Sequence, residues 1–357
     1  MENYQDVLSQ MEIFGIELRA KDLAQLPYKI DCGKRVTCGK GGKDWYKLYL
    51  FQPKNSSKKW VTGTFGTYRA GGDWRNVIVD WAELGEEDRE RMKAEREAKK
   101  AAAAIERAKE IANASADALT IWRKAVPTQT TPYLERKQVI GETCRMLDQS
   151  LTLRWPAKHK GEDDTVWTLP AGTLVLPLMR YDMARADAMR GVQFIKPDGS
   201  KIYLRQFDKP GCCIRLGEVD ADTALMLVVE GYATGGTARR ATAYAWPVFV
   251  AMDAGNLAHV VPLLRELYPE TRILILADDD YLTRDKRTGQ LNNPGRTAAK
   301  AVARKTERCD FVWPIFNPTN RGPKDTDFND LHVLEGLGAV SDQLMGVIQE
   351  ITKHHGR

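Results

Sequence analysis

Apolar runs that end abruptly in acids constrain this chain more than any other feature. Leu225-Met226-Leu227-Val228-Val229 stops at Glu230-Gly231, and Ile273-Leu274-Ile275-Leu276-Ala277 stops at Asp278-Asp279-Asp280. A third run, Phe311-Val312-Trp313-Pro314-Ile315, is followed after a loop by Lys324-Asp325-Thr326-Asp327-Phe328-Asn329-Asp330. Short runs without polar alternation read as strands covered on both faces, the condition of a parallel sheet between helices. Residues 225–353 alternate such runs with helical stretches, so an α/β fold is expected there. In an open parallel sheet, ligands bind beyond the carboxyl ends of the strands, where acids from different strands converge. Asp278 and Asp280 are two apart and face one side of an extended backbone. Several carboxylates cannot stay ionised together without a compensating cation. Donors that are all oxygen select Mg²⁺ or Mn²⁺ over zinc. Such ions complete their shells with water and substrate phosphates, which suits phosphoryl or nucleotidyl transfer. Glu230-Gly231-Tyr232-Ala233-Thr234-Gly235-Gly236 adds small residues where a strand turns into a helix, so that backbone at Gly231 can approach a phosphate. Asp253, Asp279 and Asp325 read instead as surface carboxylates or helix caps.

The preceding 224 residues divide by composition. Residues 1–83 read as a small β-rich unit, with strands at 45–51, 60–65 and 77–79 joined by turns. Between Lys34 and Lys59 there are eight basic residues and one acid, Asp44. Aromatic residues are interleaved with them. They read either as the filling of a small core or as platforms on which single-stranded bases stack between phosphate-binding lysines. On the second reading Lys43, Trp45, Lys47, Lys58, Lys59 and Trp60 are the nucleic-acid-binding candidates. Residues 84–126 form a helical linker, rich in Ala, Glu, Lys and Arg and free of Gly and Pro from 86 to 125. Residues 127–222 are mixed, with a strand at 174–178, a strand at 191–195, a turn at Pro197-Asp198-Gly199-Ser200 and a returning strand from Lys201. Residues 223–335 hold the acids, and 336–357 read as a C-terminal helix.

Composition sets further limits. Net charge is only +5, with 53 basic and 48 acidic residues, so charge distribution matters more than the total. The first residues lack the pattern of a secretory signal, and no stretch reaches the roughly 18 apolar residues of a membrane helix. Six cysteines in 357 residues are too few for a disulfide scaffold. Cys32 and Cys38 supply two zinc ligands at most, so no zinc is expected. The expectation is a reduced, cytoplasmic protein of a bacterial host cell.

The acid pattern resembles the TOPRIM domain shared by bacterial primases, topoisomerases and some nucleases. Val228-Val229-Glu230-Gly231-Tyr232 is similar to its Glu-Gly motif, and Leu276-Ala277-Asp278-Asp279-Asp280 to its Asp-x-Asp motif. Asp327-Phe328-Asn329-Asp330-Leu331 is similar to an element of phage and plasmid primases. The resemblance implies Glu230 as acid/base or metal ligand, and Asp278, Asp280 and Asp327 or Asp330 as ligands of two or more Mg²⁺ or Mn²⁺ ions. It extends upstream. Tyr133-Leu134-Glu135-Arg136-Lys137 resembles the YLxxRG element of DnaG-type primases, with Lys137 where that element has Gly. Leu176-Pro177-Leu178, Gly191 to Gly199, Lys201 and Lys209-Pro210-Gly211 follow in the same order. The implied fold is a TOPRIM-type parallel sheet preceded by a mixed α+β primase-type subdomain. The implied function is synthesis of short RNA primers from ribonucleoside triphosphates on single-stranded DNA, with Arg180, Arg190, Lys201, Arg205, Lys209, Arg215 and Gly231 meeting template and nucleotide. Two departures stand out. Residues 281–294 intervene after the Asp-x-Asp and carry Arg284, Lys286 and Arg287, which suggests a mobile basic loop. A metal-free module replaces the usual zinc ribbon. There is no P-loop, so unwinding falls to a partner, a replicative helicase. Two alternatives stay open: a metal-dependent nuclease, and a non-catalytic single-strand-binding module. His259 and His332 read as structural.

Overall fold

The computed structural model describes all residues except 54–56, 69–71, 80–85, 158–162, 285–288 and 354–357, together with the side chains of 86–89 and 92. Lys54, Lys286 and Arg287, expected to be basic contacts, lie outside the described residues. The chain divides into two compact units, Met1–Ile105 with Arg284–Gln290, and Glu106–Thr283 with Leu291–Arg357.

The first unit opens with two helices, α1 (Tyr4–Ile13) and α2 (Ala20–Lys29), which the strand-centred reading of 1–83 did not include. A four-stranded antiparallel sheet follows: β1 (Val36–Cys38), β2 (Asp44–Phe51), β3 (Trp60–Thr67) and β4 (Trp74–Asn76), each paired with the next. The strand expected at 77–79 lies three residues earlier. Val77 and Val79 follow it as buried residues, with the Val77 N–H still donating to the Gly63 carbonyl at 2.9 Å. Val7, Met11 and Leu26 of the helices join Tyr46, Leu48, Val61 and Phe65 of the sheet in one core.

This packing corrects one expectation. Trp45 and Trp60 are each 6% exposed and cannot serve as open stacking platforms. Trp60 belongs to the core, and Trp45 sits across the ladder from Gly66, where the missing side chain leaves room for its ring. The Arg35 guanidinium covers that ring at 3.9 Å. Among the described residues, Trp74 of β4 and Tyr68 just after β3 carry exposed aromatic rings.

Helix α3 (Glu86–Lys124) runs for 39 residues. Its end is anchored because Ala114, Ala118 and Ile121, spaced by four and three, share one face and are buried.

In the second unit β5 (Val126–Pro127) leads to α4 (Pro132–Arg136). The Thr131 hydroxyl caps α4 by accepting the Leu134 N–H, and Pro132 occupies its first turn. Next come β6 (Arg145–Met146), the hairpin β7 (Leu151–Trp155) with β8 (Thr165–Leu169), then β9 (Leu174–Met179), β10 (Met189–Ile195) and β11 (Lys201–Tyr203). The antiparallel order is β11-β10-β9-β6-β5, with β10 and β11 turning at 197–200 as the sequence suggests.

The third large sheet has the order β12-β14-β13-β15-β16. Its strands are β12 (Ile214–Leu216), β13 (Leu225–Val229), β14 (Val248–Val250), β15 (Arg272–Leu276) and β16 (Cys309–Val312). All pairs are parallel except that of the edge strand β12. Helices α5 (Tyr232–Ala241), α6 (Ala254–Leu267), α7 (Pro294–Ala303), α8 (Phe328–Glu335) and α9 (Leu337–Lys353) complete this part. Every side chain of β13 is buried, as its unbroken apolar sequence demands.

Candidate active site

Strand order places the site. From β13 the chain moves to β14 on one side, then returns to β15 on the other, so the topology reverses between β13 and β15. A crevice opens at such a point beyond the strand ends. Val229 pairs in register with Leu276, so Glu230 emerges beside Ala277 and Asp278.

The acids feel one another. Burial pushes the Glu230 carboxyl up to about 7, helped by the negative charges of Asp280 and Asp327, while the backbone N–H groups of Asp278 and Ala254 pull it down. Burial also raises Asp278 well above the ordinary carboxylate range, followed by the charges of Glu230, Asp327, Asp280 and Asp330. Asp327 is raised by burial and by Asp330. Glu230 Oε1 and Asp278 Oδ1 are buried without a hydrogen-bond partner. Buried carboxylate oxygens left unsatisfied among like charges are what a bound cation would compensate, and an all-oxygen donor set fits a hard divalent ion. Among the described residues no group of three or more His, Cys, Asp or Glu side chains stands close enough together to hold a metal ion. Like charges at this spacing favour separation unless a cation lies between them.

Asp279 is a different kind of residue from its neighbours, and not the surface carboxylate expected. It is 4% exposed. Its oxygens accept Arg321 Nη1 at 2.9 Å, Arg296 Nη1 at 3.1 Å and Asn293 Nδ2 at 2.6 Å. These partners hold its carboxyl below the usual range against the opposing effect of burial. Arg321 is itself stacked 3.7 Å over Tyr281 and 4.5 Å over Phe316. Asn293 also caps α7 and accepts the Asp280 N–H at 3.1 Å, while the Gly295 N–H donates to Asp280 Oδ2 at 3.2 Å. A Cβ on Gly295 would run into the Asp278 backbone carbonyl. The end of the insertion and the residues just after it therefore close back onto the aspartates. Asn293-Pro294-Gly295, a helix-start signal, was the available clue in the sequence.

Asp253 caps α6 through the Asn256 N–H, and Asp325 accepts the Gly322 N–H. Gly235 and Gly236 lie inside α5, where Cβ atoms would press on Val250, Leu216 and Val139. They serve close packing. Gly231 alone stands at the strand-to-helix turn, and no side chain caps α5 there. Asp327 and Asp330 cap α8 reciprocally, Asp327 Oδ1 accepting the Asp330 N–H at 2.8 Å and Asp330 Oδ2 the Asp327 N–H at 3.3 Å.

Several of the basic residues are engaged internally. Arg180 pairs with Asp182 and donates to the Pro210 carbonyl, Lys209 pairs with Asp253, and Arg215 pairs with Glu218. Asn256, absent from the sequence reading, secures the same loop. It accepts the Gly211 N–H and donates to the carbonyls of Cys212 and Ala251. Arg205 lies over Trp155 at 5.6 Å, Arg190 is partly exposed, and Lys201 is exposed beside a cavity of about 370 Å³ that Arg136, Lys137 and Asp330 also line. His332 is buried, with Nδ1 3.2 Å from the Thr237 hydroxyl, while His259 is exposed.

A parallel sheet with acids from two adjacent strands at its switch point is an α/β module with a candidate cation site. Residues 225–338 match the Toprim domain family, a class that generally binds divalent metal ions. The chain is 32% identical over 277 residues to the DNA primase TraC of Escherichia coli, covering 73% of this chain and 23% of that protein. A second Escherichia coli DNA primase TraC is 29% identical over 200 residues, covering 55% of this chain and 12% of that protein. The chain thus spans less than a quarter of the length of these relatives. Among solved structures, the primase fragment of the bacteriophage T7 primase-helicase aligns with a TM-score of 0.35 and 12% identity over 62% of this chain and 72% of that one. Among the described residues no helix is long and apolar enough to cross a membrane.

Proposed function

We propose that this chain is a primase-type nucleotidyltransferase that joins ribonucleoside triphosphates into a short RNA primer on single-stranded DNA, in phage or plasmid replication. The observation that carries the reading is the group of Glu230, Asp278 and Asp280 at the ends of β13 and β15, in which Glu230 and Asp278 each keep a buried carboxylate oxygen without a partner. Similarity to proteins named DNA primase supports the choice of primer synthesis over hydrolysis.

Glu230, Asp278, Asp280 and Asp327 or Asp330 would hold the ions, Mg²⁺ or Mn²⁺ and two or more in number. Bound there, such ions supply Lewis-acid stabilisation of charge on the triphosphate and activation of the primer 3′-hydroxyl. The chain's own residues position and compensate. Asn293 and the Gly295 N–H fix the Asp280 backbone and carboxylate. Arg321 and Arg296 fix Asp279 and with it the turn between the two ligand aspartates. Arg190, Lys201 and Arg205 meet phosphates of template and nucleotide, joined by Arg180, Lys209 and Arg215 where phosphate displaces their internal partners. In the first unit, phosphate contact falls to Lys43, Lys47, Lys58 and Lys59, and base stacking to exposed Tyr68 and Trp74. Unwinding ahead of synthesis falls to a replicative helicase.

The test is incorporation of labelled ribonucleotides on single-stranded DNA with Mg²⁺ or Mn²⁺. The double variant Asp278→Asn, Asp280→Asn is expected to lose at least about a hundredfold in rate. Undiminished synthesis by that variant would refute the site, and degradation of the DNA without nucleotides would favour a nuclease.

A further inference from the structure

The acids at the strand ends are not equivalent to Asp330. Glu230, 8% exposed, and Asp278 each keep a buried oxygen without a partner. Asp330 has both oxygens engaged. Its Oδ1 accepts Lys137 Nζ at 3.1 Å, and its Oδ2 accepts the N–H groups of Thr326 at 3.0 Å and Asp327 at 3.3 Å. Lys137 is anchored at both ends, because its carbonyl accepts Asn329 Nδ2 at 2.7 Å. Asn329 is fully buried and also donates to the Thr237 hydroxyl at 2.9 Å, which ties this corner to α5. A cation that took Asp330 as a ligand would have to displace an ammonium and, for its second oxygen, two backbone amides.

We propose that Lys137 is a positioning residue of the cation site: it retains Asp330 in the capping box of α8, outside the ion's ligand shell, and leaves Glu230, Asp278, Asp280 and Asp327 to the ion. This rests on the reading of those acids as a divalent-cation site. The consequence is counterintuitive for a residue that supports a site. Taking the charge from Lys137 frees Asp330 Oδ1 and removes a positive charge that repels the ion, so metal binding tightens.

Mn²⁺ binding to the full chain, followed by electron paramagnetic resonance of the free ion without DNA or nucleotide, tests this. Lys137→Met is expected to lower the Mn²⁺ concentration for half-saturation about three- to tenfold. Lys137→Arg should stay within about twofold of the parent, since the charge is kept. The double variant Lys137→Met, Asp330→Asn exchanges an ion pair for a neutral pair and should return to within about threefold of the parent. A double variant tenfold or more weaker makes Asp330 a ligand and overturns the proposal, as does Lys137→Met binding no tighter than Lys137→Arg. The comparison of Met with Arg at 137 decides the matter where the double variant does not fold by circular dichroism. Primer synthesis plays no part in this assay. A parent that binds Mn²⁺ with the variants in another order sinks the Lys137 role alone, whereas a parent that binds none sinks the cation-site reading with it.

Discussion

Three consecutive aspartates do two jobs. Asp278 and Asp280 point toward the other acids, and Asp279 points the opposite way, into Arg321, Arg296 and Asn293. Alternation along an extended backbone separates them, and it is visible in the sequence. What the sequence does not reveal is that the middle residue is buried against two half-buried arginines rather than facing water. Asp279→Asn leaves two guanidinium groups without their carboxylate, so stability to urea should fall by about 3 kcal/mol. Asp278→Asn should do the reverse in EDTA. It removes a buried charge among like charges with an unpartnered oxygen, and the metal-free protein should gain about 1 kcal/mol or more. Thermal melts with and without Mn²⁺ check both halves of that statement, because the ion should raise the melting temperature of the parent and not of the variant.

At the scale of elements, caps and latches carry the site. Helix α8 is held by the Asp327–Asp330 box at its start and by Asn329 at its first turn. Asn329→Ala leaves the Lys137 carbonyl and the Thr237 hydroxyl without that donor and should cost about 2 kcal/mol, measured by urea denaturation. In the first unit α2 is fixed by Asp22, which accepts the Arg19 N–H at 3.1 Å, the Arg19 guanidinium at 2.8 Å and the Gly39 N–H at 3.2 Å. The Arg19 side chain, before the backbone donors, holds the Asp22 carboxyl below its ordinary value. A carboxyl depressed in the folded state contributes stability that is complete above its unfolded value, about 3.9. That contribution is lost as pH falls through the lower folded value. The stability gap between the parent and Asp22→Asn should therefore be constant near neutrality and close in acid, as followed by denaturation between pH 7 and pH 2. Elements α1 and α2 escaped the sequence reading because each has only ten residues and α2 contains Pro27, so their packing against the sheet outweighs weak local preference.

At the scale of the whole molecule, two compact units share one chain, and the charge on the first is local. If its lysines contact single-stranded DNA, replacing Lys43, Lys47, Lys58 and Lys59 by Gln should reduce the salt dependence of binding. The slope of log affinity against log salt falls by about 3 when four such contacts at about 0.7 each are lost. Fluorescence anisotropy of a labelled oligonucleotide across salt concentrations measures it. An unchanged slope would remove this face from the template path. Trp60→Phe should behave differently, altering stability more than the slope, since that ring lies in the core.

Strands β13 and β15 were legible in the chain's own pattern, because a strand buried on both faces must be apolar, as β13 is throughout and β15 is from Ile273 on. So were the long helix, by composition, and the emergence of Glu230 beside Asp278, because a parallel sheet sends its strand ends the same way. The rest depended on contacts between segments distant in the chain. Short strands such as β12 and β14 take their identity from neighbours remote in the chain. The Lys137–Asp330 pair joins residues 193 positions apart, and no local pattern encodes such a meeting. The burial of Trp45, Trp60 and Asp279 was undecided for the same reason: exposure belongs to what packs on a residue, and chain folding alone supplies the covering groups.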